Sequence, residues 1–424
     1  MAEVLVIGGG AAGMMAAIWA ARSGASVTLW EKNDRLGRKL AITGKGRCNI
    51  TNAAPVDELI RNLPGNGRFM HSAFAAFDNR DVMQFFTELG VPLKVERGQR
   101  VFPQSDNAAE VIGALEKELG RLSVRVCYNT PAVRLLFDNG DICGAESADG
   151  KTVYAKAVIL AAGGATYRAT GSNGDGYKMA AQAGHTIVAP LPALVPLQSP
   201  DAWVADCAGL SLRNVELRIY QPGGISKKNL LFNMFGELLF THFGLSGPLV
   251  LSASRKAAQF FYAHPGDSLL AQINLKPALS AEQLSARLER EFSASPKRHL
   301  HNALEELLPK SLIVPFIGLT GLSADIPVNR LAHRDRAKIV SIMQALPVNL
   351  SSTRPLNEGI VTQGGVTVKE IQPKNFASKK CRDLYVVGEL LDVDGFTGGY
   401  NLQVAFSSGY AAGRAAAEFC RNKD

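Results

Sequence analysis

The chain has 424 residues, 46% of them apolar and 20% charged, with a formal net charge of +8 and a mean hydropathy of +0.03. That length exceeds one hydrophobic core and calls for two or more domains, while the composition excludes a fibrous or disordered chain and fits a soluble globular one. No uninterrupted apolar run is long enough to cross a bilayer, and a pI near 9.1 suggests an anionic partner, although cofactor phosphates and solubility also draw on such a charge.

Residues 4–7 (VLVI) read as a buried strand, 11–23 as a small-residue helix, and 27–30 as a second buried strand ending at Glu31. This is a βαβ unit with a dinucleotide fingerprint in its first turn. Gly8 allows the tight turn, Gly10 lets the backbone approach a pyrophosphate, and Gly13 brings the helix against the sheet. The pyrophosphate would rest on the N–H groups of Ala11, Ala12 and Gly13 at the helix N-terminus. Glu31, followed by Lys32, is placed to accept hydrogen bonds from an adenosine ribose and to repel a 2′-phosphate. The apolar stretch 14–21 (MMAAIWAA) imitates a signal peptide but lacks a basic leader and follows Glu3, so a cytoplasmic protein is expected.

The next segment, GRKLAITGKGRCNITN at 37–52, sets Arg38 and Lys39 where they can neutralise pyrophosphate oxygens. Thr43, Gly44 and Gly46 make a loop whose backbone can lie against a flat ring. This stretch resembles the signature GRKL-(L/A)-ISGGGRCN-x-TN of the BaiN-like (YhiN/YtfP) bacterial flavoproteins. It departs from that signature at Thr43, which replaces a serine, and at Lys45, which replaces a glycine. The resemblance implies FAD as a non-covalent cofactor, with Thr43, Gly46, Arg47, Cys48 and Asn49 on the flavin side and Lys45 tuning the flavin or touching substrate.

Downstream, 81–89 and 108–119 read as amphipathic helices around a polar-apolar alternation, LKVERGQRVFP at 93–103, that reads as a hairpin or strand. Its Arg97, Arg100 and Phe102 either border a substrate pocket or lie on an ordinary exposed hairpin. Residues 124–164 read as a strand meander with DNG and DG turns, closing on a buried strand at 157–161. By resemblance to glutathione-reductase-type flavoproteins, Val133 would touch the adenine and Ala162, Gly163 and Gly164 the adenosine side. Asp175 suits either that cofactor loop or a helix N-cap.

The prolines of 190–200 (PLPALVPLQSP) mark a boundary. Strands dominate to about 271, and helices follow from Ser280, whose hydroxyl and Gln283 suggest a capping box. The expected organisation is a first FAD-binding part over 1–192, an inserted β-barrel-like domain over 193–275, a helical subdomain over 276–346, and a return to the FAD domain over 347–424. His242, in FTHFGLSGP, either donates a proton to substrate or secures a strand turn, and Ser246 has no visible base partner.

The closing segment returns to the cofactor: a buried strand at 384–387, an acidic Gly388-Glu389 turn, and an alanine-rich helix over 402–418. The resemblance places Gly388 and Glu389 near the ribityl and phosphate groups. It places Gly399, Asn401, Leu402 and Gln403 at the flavin pyrimidine edge, where a helix N-terminus stabilises negative charge. The fold class is therefore α/β: a Rossmann-like FAD domain of the glutathione-reductase type carrying an inserted barrel-like domain and a helical subdomain. There is no second GxGxxG, so NAD(P)H would visit the flavin transiently as electron donor.

Cys48, Cys127, Cys143, Cys207, Cys381 and Cys420 are scattered without CxxC or zinc spacing, so reduced thiols and no metal are expected. The family resemblance implies hydride transfer at flavin N5 and three substrate classes: a uridine of large-subunit ribosomal RNA reduced to dihydrouridine, aminoacetone, or a bile acid. The basic charge favours ribosomal RNA, a small-molecule substrate is the alternative, and a non-enzymatic flavin redox factor is a third reading. Reducing a uridine needs an acid, for which Cys48 comes first and His242 second. A small buried residue beneath the flavin is the competing role for Cys48.

Overall fold

The computed structural model describes residues 2–422; Met1, Lys423 and Asp424, included in the expected domain bounds, lie outside them. The chain forms two compact units, one from the residues up to Leu191 together with those from Leu356 onward, the other over Pro192–Pro355.

The first unit is built on β1 (Ala2–Ile7), α1 (Ala11–Arg22) and β2 (Val27–Trp30), within a residue or two of the sequence reading. A third strand, β3 (Arg125–Cys127), extends the sheet beyond β2. The meander follows as β4 (Ala132–Asp138), β5 (Asp141–Ser147) and β6 (Thr152–Leu160). Along β6, residues 152–154 pair antiparallel with β5, whereas 155–160 run parallel to β1. One strand thus serves both the meander and the parallel sheet. Parallel strands are covered on both faces, and accordingly Val4, Leu5, Val6 and residues 157–160 are completely buried.

After β6 comes α2 (Asp175–Gln182), capped by Gly174 in a left-handed conformation (φ 87°), so Asp175 is the first helical residue rather than the cap. Beyond the second unit, β7 (Leu384–Val386) returns to pair parallel with β6, and α3 (Tyr400–Asn422) covers the sheet.

α3 packs along α1 through small residues. A Cβ on Gly409 would collide with the carbonyl oxygen of Ala12, and one on Gly413 with that of Ala16. The two backbones approach so closely because neither surface carries a branched side chain at these turns.

A second tie joins the two segments of this unit. The buried His185 ring, just after α2, lies 3.3 Å from Glu370 through Nδ1 and 2.8 Å from the Ser378 hydroxyl through Nε2. Burial lowers its pKa against the opposing pull of Glu370. This chain looks like a nucleophilic triad, but the Ser378 oxygen also accepts the N–H groups of Lys380 and Cys381. It closes a turn and has no free lone pair for attack.

The second unit holds a seven-stranded antiparallel sheet in the spatial order 346–350, 269–274, 211–220, 230–241, 244–246, 197–198, 352–353. Its two outermost strands are separated in the chain by Ser351 alone. Strands at opposite edges can be that close in sequence only if the sheet curls on itself, which makes it barrel-like. Helices Ala281–Ala294, Lys310–Thr320 and His333–Gln344 share one core with it, including Leu217, Phe240, Ile273, Leu288, Phe316 and Met343. The Ser280–Gln283 capping box is present, with bonds of 3.2 and 2.9 Å. The strand-rich and helical stretches thus form one compact unit.

Replacing Gly413 by valine should separate α3 from α1 and cost about 3 kcal/mol or more, as overpacking a rigid backbone contact does. Thermal unfolding of the variant against the parent measures this, and an unchanged midpoint would show that the helices can part freely.

Candidate functional site

The turn between β1 and α1 is shaped by glycines with different neighbours. Gly8 (φ 107°) lies on the carbonyl of Ala161, and a Cβ on Gly13 would overlap the carbonyl of Gly8. A Cβ on Gly10, in contrast, would meet nothing within 4 Å. Gly10 caps α1 with no side-chain hydrogen bond, and the first helical turn contains no acid. The N–H groups of that turn are therefore neither filled by a side chain nor opposed by a carboxylate, which is what an incoming pyrophosphate requires.

Glu31 is 7% exposed. Its Oε2 accepts the N–H of Gly9 at 2.8 Å, and its Oε1 accepts both the backbone N–H and the side-chain amide of Asn33 at 2.8 and 2.6 Å. The carboxylate is thus fixed beside the glycine turn, with one lone pair of Oε2 remaining for a ribose hydroxyl. Asn33 was not identifiable as a site residue from the sequence; its only signal is its position two residues beyond the strand-ending acid. An adenosine diphosphate moiety without a 2′-phosphate fits these groups, and FAD contains one.

The other cations expected at the cofactor have protein partners. Lys32 bonds to Asn173 (2.7 Å) and Asp175 (3.0 Å), and Arg38 donates to the Asn33 side-chain Oδ1 at 2.9 Å. Lys39, expected at the pyrophosphate, reaches Glu389 at 2.6 and 2.8 Å and the Thr166 hydroxyl at 2.8 Å. Glu389 also accepts the N–H of Thr362 at 2.9 Å. Its carboxylate is a junction that ties residue 39 to both return segments. Thr362 and Thr166 escaped sequence reading because their role exists only across distant parts of the chain.

The loop at 43–49 is strained in a defined way. Gly44, Lys45 and Gly46 have φ of 58°, 61° and 85°, and Cys48 has φ of 60°. Thr43 turns its hydroxyl to the carbonyl of Leu40 at 2.7 Å. Arg47, expected at the cofactor, instead pairs with Glu96 and with Asp106 and lies 4.1 Å over the Phe102 ring. Phe102 is buried beneath it, so the hairpin Leu93–Glu96 and Arg100–Pro103 clamps the loop. The Asn49 amide, oriented to satisfy its neighbours, donates to the carbonyls of Val101 and Thr51 and accepts the N–H of Gly399 at 3.0 Å. The loop and the N-terminus of α3 are thereby held together.

At α3, Gly398 and Gly399 have φ of 132° and 98°, and a Cβ on Gly399 would collide with the Thr51 carbonyl. Asn401 organises the preceding turn, exchanging hydrogen bonds of 2.8 and 2.9 Å with Gly395. Leu402 is half-buried in this first turn. Gln403 departs from expectation: its side chain is fully buried, bonded to Thr51 and Ser407, and its N–H already serves the Gly399 carbonyl. It braces the helix from inside and offers nothing to a ligand.

Val133 is half-exposed on β4, and Ala162 and Gly163 (φ 74°) follow directly on β6. Gly388 (φ 70°) lies against Ala12, and its N–H donates to Ser408 at 3.0 Å.

Cys48 is fully buried, and burial pushes its thiol up to about 12 against a smaller opposing bond from Thr43. The thiol is therefore protonated throughout the physiological range, but a donor must touch its substrate, and this one is screened on every side. The burial counts for the packing role over the acid. His242 belongs to the second unit, exposed on the turn between strands Leu230–Thr241 and Gly244–Ser246, with its ring edge-on to Phe243 at 4.9 Å.

Lys45 occupies a left-handed position that glycine fills without penalty, so Lys45→Gly should stabilise the loop by about 1 kcal/mol. Differential scanning of the apoprotein checks this; destabilisation would mean that the exposed ammonium has a partner worth more than the backbone strain.

Comparison with known proteins agrees with this geometry. The family described as HI0933-like protein Rossmann domain matches residues 2–415. The chain is 32% identical to a 3-dehydro-bile acid delta(4,6)-reductase of Clostridium scindens, over 99% of this chain and 100% of that one. It is 30% identical to a ribosomal RNA dihydrouridine synthase of Escherichia coli, over 96% of both. Its fold is similar to the crystal structure of a 3-ketosteroid-delta4-(5alpha)-dehydrogenase from Rhodococcus jostii RHA1, with a TM-score of 0.51 and 18% identity over 98% of this chain and 96% of that one. The fingerprint turn, the fixed Glu31 carboxylate beside it and the match over nearly the whole length lead to one conclusion: the chain belongs to the HI0933-like family and is an FAD-dependent oxidoreductase.

Proposed function

We propose that this enzyme reduces a uridine of large-subunit ribosomal RNA to dihydrouridine, with NAD(P)H as the electron donor. The observation that carries the reading is the net charge of +8, which suits a substrate with a phosphate on every nucleotide better than a neutral ketone or a monoanionic acid. The similarity to a ribosomal RNA dihydrouridine synthase is in keeping with it. The cytoplasm, where ribosomal RNA is made, is the corresponding location, and no described helix is long and apolar enough to cross a membrane.

Bound FAD would supply hydride transfer at its N5. The chain's own part is to hold that group and to manage a proton. The first turn of α1 takes the pyrophosphate and Glu31 the adenosine ribose. The loop at 43–49, pinned by Arg47 and Asn49, and the opening turn of α3 would border the flavin ring. Saturating the uracil 5,6 double bond requires a proton at C5 to accompany hydride at C6. Of the two donors considered, Cys48 is enclosed and His242 belongs to the other unit, so packing is assigned to Cys48.

A second reading, reduction or oxidation of a small steroid-like ketone, is favoured by the 32% identity to the bile-acid reductase. It predicts turnover without any RNA.

The deciding experiment is mass spectrometry of nucleosides from large-subunit ribosomal RNA in cells lacking the gene and in cells with it restored. A dihydrouridine that disappears and returns is the expected result; unchanged RNA would pass the lead to the small-molecule reading. In the same assay Cys48→Ala should keep turnover within about threefold while losing roughly 1 kcal/mol of stability, the cost of removing one small buried group. Lost turnover with FAD fully retained would instead make Cys48 the proton donor.

A further inference from the structure

The positive charge is unevenly divided. Pro192–Pro355 contains 17 lysines and arginines against 12 aspartates and glutamates, whereas the remaining 260 residues contain 29 against 26. The smaller unit therefore has a net charge of +5 and the larger one +3.

Within the smaller unit one group of cations stands out. Lys276 follows strand Leu269–Asn274 and is half-buried where that strand meets two helices: the N–H of Leu275 bonds to the carbonyl of Met343 at 2.8 Å, and Gln344 reaches the carbonyl of Leu279 at 3.2 Å. Helix Ala281–Ala294 buries Leu284, Leu288 and Phe292. At 100° per residue this leaves Arg287, Arg290 and Glu291 on one flank, with Glu282 and Glu289 on the other. Burial first, and the charge of Arg287 second, pull the Lys276 ammonium below the usual lysine range. Among the described residues no carboxylate, Glu291 included, forms an ion pair with Lys276, Arg287 or Arg290, while a few cations of the unit, such as Arg218 and Arg298, have acidic partners. Like charges held together without a counterion raise the energy of the fold, and that energy is recovered when an anion lies between them.

We propose that Lys276, Arg287 and Arg290 form a phosphate-binding face of the inserted unit that holds the backbone of the RNA substrate. The proposal rests on the ribosomal-RNA reading above and adds where the strand is held. The three cations sit on rigid elements, a strand end and a helix flank, so they present a fixed array to successive phosphates, and they carry no base-specific function.

The test uses the FAD-loaded full-length protein and protein-free large-subunit ribosomal RNA. Binding is measured as a function of salt for the parent, for Arg287→Gln/Arg290→Gln, and for a control with the same charge change in the other unit, Arg134→Gln/Lys151→Gln. Each phosphate contact on a single strand contributes about 0.7 to the slope of log K against log salt. The first variant should therefore lose about 1.4 from the slope and bind at least tenfold more weakly at low salt, with the control near the parent. Equal losses in both variants would reduce the effect to general charge and overturn the proposal, as would a first variant that binds like the parent. Flavin absorbance and unfolding midpoint equal to the parent's verify that the variant is folded. Dihydrouridine in cells carrying each variant separates the two readings. If the parent restores dihydrouridine and the first variant restores it fully with an unchanged slope, the phosphate face fails and the substrate reading stands. If the parent restores none, the substrate reading fails; the salt slopes then decide the phosphate face, and a parent that does not bind RNA overturns it.

Discussion

The close approach of the first helix and the last is the constraint on which the cofactor unit depends. Residues 11–22 and 400–422 are separated by almost the whole chain, including an inserted unit, yet Gly409 and Gly413 place one backbone against carbonyl oxygens of the other. Contacts of this kind have no slack, because a backbone cannot rotate away as a side chain can. They fix where α3 begins, and so where its N-terminal N–H groups lie relative to the glycine turn. The two anion-attracting helix ends are set by a single packing interface.

Around that interface the polar groups are largely committed to the protein. Glu389 gathers Lys39 and the N–H of Thr362, and Arg47 is divided between two carboxylates and an aromatic face. A preorganised site is built in this way: the groups that position the loop are fixed before a ligand arrives, so binding does not have to order them. The contribution left for the cofactor comes from backbone N–H groups and the Glu31 carboxylate, which have the right chemistry for a pyrophosphate and a ribose.

The inserted unit follows different rules. Its sheet is antiparallel and curls until strands separated by one residue sit at opposite edges, and its helices share the core of that sheet. Its surface carries unneutralised positive charge. A family in which one relative is named for a ribosomal RNA and another for a bile acid is one in which fold alone does not specify substrate, and charge at the surface of such a unit is a physical quantity able to distinguish them.

The sequence by itself determined the βαβ unit, the glycine turn within it, the acid that ends its second strand, the extended character of 93–103 and the Ser280 capping box. In each case the signal is local: a period of 2 or 3.6, a capping pair, or a glycine that only a turn requires. Partnership was settled by the tertiary structure. Lys39 and Arg47 are expected from the sequence at the cofactor, but which anion each one meets depends on residues up to 350 positions away, and Gln403 turned inward because Thr51 and Ser407 were there to satisfy it. Cys48 shows the same limit. Its neighbours in the chain suggest a reactive group, whereas the depth at which the fold buries it gives a protonated thiol out of contact with solvent. Burial and pairing are sums over the whole fold, and no window of sequence contains them.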